Sequence, residues 1–281
     1  MTSEIYAGKH LLFKFRLAVM IKYEKLKHTL WITLNNPSTS NSINYLMIDL
    51  LISKLRDAEV DSEVRVVVLT GEGKNFCSGG DLDSMQKKQE MFQGESDELR
   101  RRYEQGIQGL SRAVEIFSKP LIGMINGAAA GAGCDLSCMC DIRIGTAETK
   151  FLESFVKIGL VPGDGGTFFL QRIVGYAKAM EMTLTGRTVL ADEALQMGLL
   201  NKIFSSTELK RETQKIADAI ASNAPVAVQM SKKAMKISYL HDLQTSLDLL
   251  AAYQGITQRT ADHDEAMNAI IEKRNPIFLN R

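Results

Sequence analysis

The sequence predicts an α/β fold followed by a helical tail, on three observations. Apolar runs of strand length end in glycine at "VRVVVLTGEG" (64–73), "PLIGMINGAA" (120–129) and "CDIRIGTAE" (140–148), with a weaker relative in "GLLNKIF" (198–204). Segments of helical period lie between them, and that alternation is the mark of an α/β architecture. From about residue 205 the pattern is helical to the end, with no proline-rich linker to set a second body apart.

The elements follow in chain order. "IKYEKLKHTLWITLNNP" (21–37) reads as two short strands closed by an Asn-Asn-Pro turn. Residues 43–57 form an amphipathic helix, with Ile48, Leu51, Ile52 and Leu55 on one side at i, i+3, i+4 and i+7. The run at 64–73 is a buried strand. Residues 81–119 are a long, charged and largely helical excursion containing Gly94, and its first part reads as mobile. In the tail, Ser205-x-x-Glu208 is a capping box, Ala224-Pro225 begins a second helix and residues 241–255 form a third. This tail is expected to pack on the α/β body or on a neighbouring subunit.

Bulk properties narrow the function. A chain of 281 residues, 45% hydrophobic, suits one large domain or one domain with an appendage. With 34 basic and 33 acidic residues the net charge is +1, which offers no electrostatic case for nucleic acid. The dense basic run Leu99-Arg100-Arg101-Arg102 lies between Glu98 and Glu104 and reads as a solvated helix face. Three of the four cysteines, Cys134, Cys138 and Cys140, crowd together, but C-x3-C-x-C fits no common zinc spacing. All four histidines are remote in sequence. These thiols, with Cys77, read as small buried side chains in a reducing compartment, so no metal is expected and the cytoplasm is. The opening "MTSEIYAGKHLLFKFRLAVM" is interrupted by Lys14 and Arg16, too short and charged for a secretory or membrane segment. The expected organisation is an extension or leader at 1–20, a core at 21–204 and a helical segment at 205–281.

"GAAAGAGCDL" (127–136) superficially looks like a dinucleotide fingerprint. Its glycines give G-x3-G-x-G instead, and no acidic ribose partner follows. No Walker lysine, H-E-x-x-H or G-x-S-x-G occurs either. What the run offers is free backbone N–H groups where a helix begins. A second such turn is "NFCSGGDL" (75–82). Two strand-to-turn corners in a parallel array can aim two N–H groups at one oxygen, an oxyanion hole. Two purely structural turns fit the spacing equally well. In "FLESFVKIGLVPGDGG" (151–166), Glu153 and Asp164 flank Phe155 and offer carboxylates for acid–base work. A surface or capping role is the plainer reading for Glu153, and a cap on a helix starting near Thr167 for Asp164.

"KNFCSGGDLDSM", "NGAAAGAGCDLSCMCDIRIGTAETKF", "IGLVPGDGGTFFLQRIVG" and "AMEMTLTGRTVLADEALQMGLLNKIF" together resemble the crotonase family, which includes enoyl-CoA hydratases and isomerases. The resemblance runs from about Ile21 to the C-terminus. It implies a spiral of ββα turns with a C-terminal helical oligomerisation segment, trimers often stacked as hexamers, a coenzyme A thioester as ligand, and no metal or redox cofactor. By position, Gly80 and Ala132 match the two donors of the oxyanion hole, and Asp135 the first hydratase carboxylate. Phe155 stands where hydratases carry the second carboxylate, and it cannot transfer protons. Asp164 is then the expected partner of Asp135, with Glu153 as substitute. The resemblance also places Ser78 and Leu82 at the adenine corner and Lys273 near a neighbouring subunit's nucleotide, while Ser38 replaces an expected basic residue. Hydration of a 2-enoyl-CoA is the leading expectation. A single-carboxylate double-bond isomerase and a non-catalytic acyl-CoA-binding protein are the alternatives.

Overall fold

A computed structural model describes residues 20–280, so the extension expected at 1–20 lies, but for Met20, outside the described residues. The chain starts with an antiparallel pair, β1 (Ile21–Leu26) and β2 (Thr29–Leu34), in register from Ile21↔Leu34 to Leu26↔Thr29. Helix α1 (Tyr45–Val60) follows, its first turn capped by the Asn44 side chain, which accepts from the N–H of Met47. Met47, Ile48, Leu51 and Leu55 point into the core; Ile52, the fourth member of the expected stripe, is only partly buried. Strand β3 (Val66–Gly71) leads into the excursion, which holds α2 (Leu82–Gln86), α3 (Ser96–Gln105) and α4 (Ile107–Ile116). In α3, Arg100 and Arg101 pair with Asp97, and Arg100 also with Glu104, so the basic run is a solvated, internally paired helix face.

The apolar run at 120–129 is two strands rather than one. β4 (Leu121–Ile125) joins the large sheet and β5 (Ala128–Ala130) a smaller one. Asn126 and Gly127 make the corner between them, Asn126 accepting from the Thr70 hydroxyl at 3.2 Å. Next come α5 (Ala132–Cys138), β6 (Ile142–Gly145), β7 (Lys150–Leu152), α6 (Gly166–Val174), α7 (Tyr176–Thr185), β8 (Thr188–Leu190), α8 (Ala191–Gln196) and β9 (Lys202–Ile203). The large sheet has the order β1-β2-β3-β4-β6-β9, parallel except for β1, and the small one β5-β7-β8. The chain thus visits one sheet, then the other, on successive turns of a spiral.

Both faces of the central strands β2, β3 and β4 are covered. Leu30, Ile32, Val67, Leu69 and Leu121 face α1 and α4; Trp31, Val66, Val68, Ile122 and Ile144 face Leu209, Ala217 and Ala221 of α9 (Leu209–Ala221). A strand buried on both sides reads as an unbroken apolar run, which is why Val66-Val67-Val68 shows no alternation. Beyond α9 lie α10 (Pro225–Ser238), with Pro225 in its first turn, α11 (Leu243–Thr257) and α12 (Ala261–Glu272). The expected capping box does not form. Ser205 donates its hydroxyl to the Glu208 carboxylate at 2.9 Å, and α9 starts only after that turn, at Leu209. The last helix, α12, was not separately expected. All four cysteines are free and buried, as read from the sequence.

Candidate active site

The site is built where the two glycine-rich turns meet. Cys77 and Ala129 form an isolated parallel bridge, with the Cys77 carbonyl accepting from the N–H of Ala130 at 2.9 Å. Helix α5 begins against that bridge, and a Cβ on Gly133 would sit 2.2 Å from the Cys77 carbonyl oxygen. Only glycine permits so close an approach. The G-x3-G-x-G run therefore serves backbone packing. A Cβ on Gly79 would lie 3.1 Å from the Ala132 nitrogen, so the second turn lies directly beside the start of α5. Among the described residues, neither the Gly80 nor the Ala132 N–H donates to a protein acceptor. Both residues line one small cavity with Ile43, Met85, Met91, Phe92, Tyr103, Ile107, Phe155 and Asp164. Its free volume is about 20 Å³, room for about one water molecule.

Among the described residues, Asp164 is the one carboxylate on the wall of this cavity. The turn that carries it is stapled to α4. The Gln108 side chain donates to the Gly163 carbonyl at 2.9 Å, and the Ser111 hydroxyl donates to the Asp164 carbonyl. Gly165, at φ 114°, then turns the chain into α6. The N-cap is Gly165 and no side chain caps the helix, so the capping role weighed for Asp164 is not what the structure shows. Among the described residues its carboxylate accepts no hydrogen bond. It is 4% exposed, and burial pushes its pKa up to about 7.

Phe155 is buried and supplies cavity wall, at the start of a short 3-10 turn, Phe155–Ile158. Glu153 is the correction: neither a surface residue nor a cap, it is 1% exposed. The end of β7 hands it inward against α5. There it meets Asp135, also 1% exposed, whose Oδ2 accepts from the Gly166 N–H at 3.0 Å. Neither Asp135 nor Glu153 lines the cavity. The structure brings Asp135 and Asp164 to the two ends of one turn but not to the same cavity wall. Burial raises the pKa of both Asp135 and Glu153, and for Asp135 the neighbouring carboxylates add to it.

Tyr103 was not singled out from the sequence. Its ring lies against the Asp164 turn, where a Cβ on Gly163 would be 3.1 Å from its Cε1, and it lines the cavity. Burial and then the charge of Asp164 raise its pKa. The available signal was an aromatic residue inside the otherwise charged "SDELRRRYEQ" of α3. Of the residues expected at coenzyme A, Ser78 is exposed, with its hydroxyl donating to the Thr39 carbonyl at 2.9 Å. Leu82 is 64% exposed at the start of α2. Lys273 is exposed at the C-cap of α12 and is no part of the cavity wall.

Two free backbone donors and one buried carboxylate of raised pKa on the wall of one cavity can polarise a carbonyl and move a proton beside it. Comparison with known proteins agrees with that chemistry. A family described as enoyl-CoA hydratase/isomerase matches residues 25–281. The chain is 38% identical over 246 residues to a short-chain-enoyl-CoA hydratase of Clostridium acetobutylicum, covering 86% of this chain and 91% of that protein. It is 33% identical over 255 residues to a 1,2-epoxyphenylacetyl-CoA isomerase of Escherichia coli, covering 91% and 96%. Its fold matches the crystal structure of an enoyl-CoA hydratase from Bacillus anthracis with a TM-score of 0.88 at 31% identity, covering 93% of this chain and all of that one.

Proposed function

Because this chain belongs to the enoyl-CoA hydratase/isomerase family, we propose that it hydrates a 2-enoyl-CoA thioester with Asp164 as its acid–base group. The observation that carries this reading is the cavity that joins the free N–H groups of Gly80 and Ala132 to the Asp164 carboxylate. The thioester oxygen is held by the two N–H groups. Water adds its oxygen to C3 while its proton passes to Asp164, and charge moves to the thioester oxygen as an enolate. Asp164 then returns the proton to C2 and the carbonyl re-forms. One carboxyl group of pKa about 7 serves both steps, because at neutral pH it is neither a spent base nor a reluctant acid. Phe155 and the surrounding methionines keep bulk water from competing.

A second reading has its own support. With Phe155 in place of a second carboxylate, the same Asp164 can take a proton from C2 of a 3-enoyl-CoA and return it to C4, shifting the double bond. Hydration of crotonyl-CoA, assayed against isomerisation of a 3-enoyl-CoA, separates the two. Either activity should collapse in Asp164→Asn. Acyl-CoA binding without turnover of either substrate would instead indicate a binding protein.

The nucleotide end of the substrate is assigned to Ser78, Leu82 and, from a neighbouring subunit, Lys273. No further cofactor is proposed. The proposed assembly is a homotrimer or a dimer of trimers, in keeping with the exposed Leu243, Leu247, Leu250, Met267, Ile270 and Ile271 on α11 and α12. No helix among the described residues is long and apolar enough to cross a membrane. The cytoplasm is the compartment we propose, on the four free thiols.

A further inference from the structure

Behind the cavity the molecule holds a pair of carboxyl groups that the proton transfer above does not use. Asp135 on α5 and Glu153 after β7 are both 1% exposed. Asp135 Oδ2 accepts from the Gly166 N–H, but Asp135 Oδ1 and both oxygens of Glu153 find no hydrogen-bond partner. Buried polar atoms are nearly always satisfied, so three orphans in one spot need an account. The geometry supplies one. Asp135 Oδ1 and Glu153 Oε1 stand 2.0 Å and 2.5 Å from the single point where a Cβ on Gly166 would be, so the two oxygens converge over the same backbone atom.

Burial and the neighbouring acidic groups argue against two charges on the pair, and only hydrogen-bond donors act the other way. Cys134 and Cys138 reach it from α5 and Asp164 from the turn, and none of these is a cation. Two carboxylates in contact in a dry site with no cation do not both ionise. One proton resolves the conflict. An O–H on either residue donates to the facing oxygen of the other and satisfies Asp135 Oδ1 and Glu153 Oε1 together. The pair then carries one negative charge, which the Gly166 N–H at the start of α6 neutralises in part.

We propose that Asp135 and Glu153 share a single proton and form a positioning element, holding the Gly165–Gly166 corner and through it the turn that presents Asp164. The inference rests on Asp164 as the acid–base group for its kinetic consequence, but the shared proton itself does not. Glu153 does not touch substrate. Its neutral form is a donor to Asp135, and an amide of the same shape supplies that donor equally well.

The test uses the full-length protein and three measurements. Infrared difference spectroscopy at pH 7.5 between the wild type and Glu153→Gln should show one protonated-carboxyl carbonyl band lost in the variant; the contribution of Asp164 cancels in the difference. Glu153→Gln should keep kcat within about threefold and leave the pH–rate midpoint in place. Glu153→Ala should lower kcat by about 10- to 100-fold with little change in KM, since misplacing a reacting group by an ångström costs that much. No protonated-carboxyl band in the difference, or a Glu153→Gln variant as impaired as Glu153→Ala, overturns the proposal. If Glu153→Ala does not fold, the band and the kcat of Glu153→Gln still decide. Failure of the Asp164 assignment shows separately, as kcat retained in Asp164→Asn with the infrared band still present.

Discussion

Replacing Asp164 by Asn should make the protein more stable and nearly inactive, and the two effects have one cause. The carboxyl group is buried with no hydrogen bond to its oxygens, and its pKa rises from 3.8 to about 7 on folding. Between about pH 4 and 7 the unfolded chain has released this proton while the folded chain keeps it. Stability from this group therefore falls as pH rises through that window and is flat above it. A rise of this size corresponds to about 4 kcal/mol at pH 8, an upper value once relaxation around the site is allowed for. Asparagine carries no charge to bury. In urea unfolding, Asp164→Asn should match the wild type near pH 4 and exceed it by about 2–4 kcal/mol at pH 8. The same substitution removes the proton carrier, so kcat should drop by about 10²- to 10⁴-fold. In the wild type, kcat/KM should change with a midpoint near pH 7 that is absent from the variant. A variant no more stable than the wild type at pH 8 would refute the buried, unpaired carboxylate, and a kcat within tenfold of wild type would refute its role.

Three other outcomes follow from the same geometry. Ala132→Pro removes one oxyanion donor at the first residue of α5 without breaking an intrahelical hydrogen bond, and its ring enters the small cavity, so kcat should fall by at least about 10²- to 10³-fold. Gly166→Ala drives a methyl group onto Asp135 Oδ1 and Glu153 Oε1 and should cost about 1–3 kcal/mol in thermal or urea unfolding. Tyr103→Phe keeps the ring against Gly163 and should hold kcat within about tenfold, whereas Tyr103→Ala frees the Asp164 turn and should cost about 10²-fold in steady-state assays.

The strands were legible because burial on both faces writes itself as unbroken apolar runs, as in Val66-Val67-Val68. The helices were legible through period, as in Ile48, Leu51 and Leu55. What period cannot show is a corner inside a run, so β4 and β5 merged at Asn126-Gly127. At the site, Gly80, Ala132 and Asp164 share the cavity that the motifs suggested. Glu153 misled because its burial depends on where β7 ends, one residue before it, and on α5 lying opposite. Both are tertiary facts. Tyr103 was hidden for the opposite reason: it is an aromatic among charges, and only the fold of the excursion turns it toward Gly163.

The most direct test of the account is a crystal structure of the protein with a non-reactive acyl-CoA bound. The expected result has the thioester oxygen about 2.7–3.1 Å from the nitrogens of Gly80 and Ala132, with the Asp164 carboxylate in hydrogen-bond reach of C2 or of a water at C3 and with Asp135 still on the Gly166 N–H. A thioester oxygen held elsewhere, or Asp135 or Glu153 nearer the reacting carbons than Asp164, would contradict it.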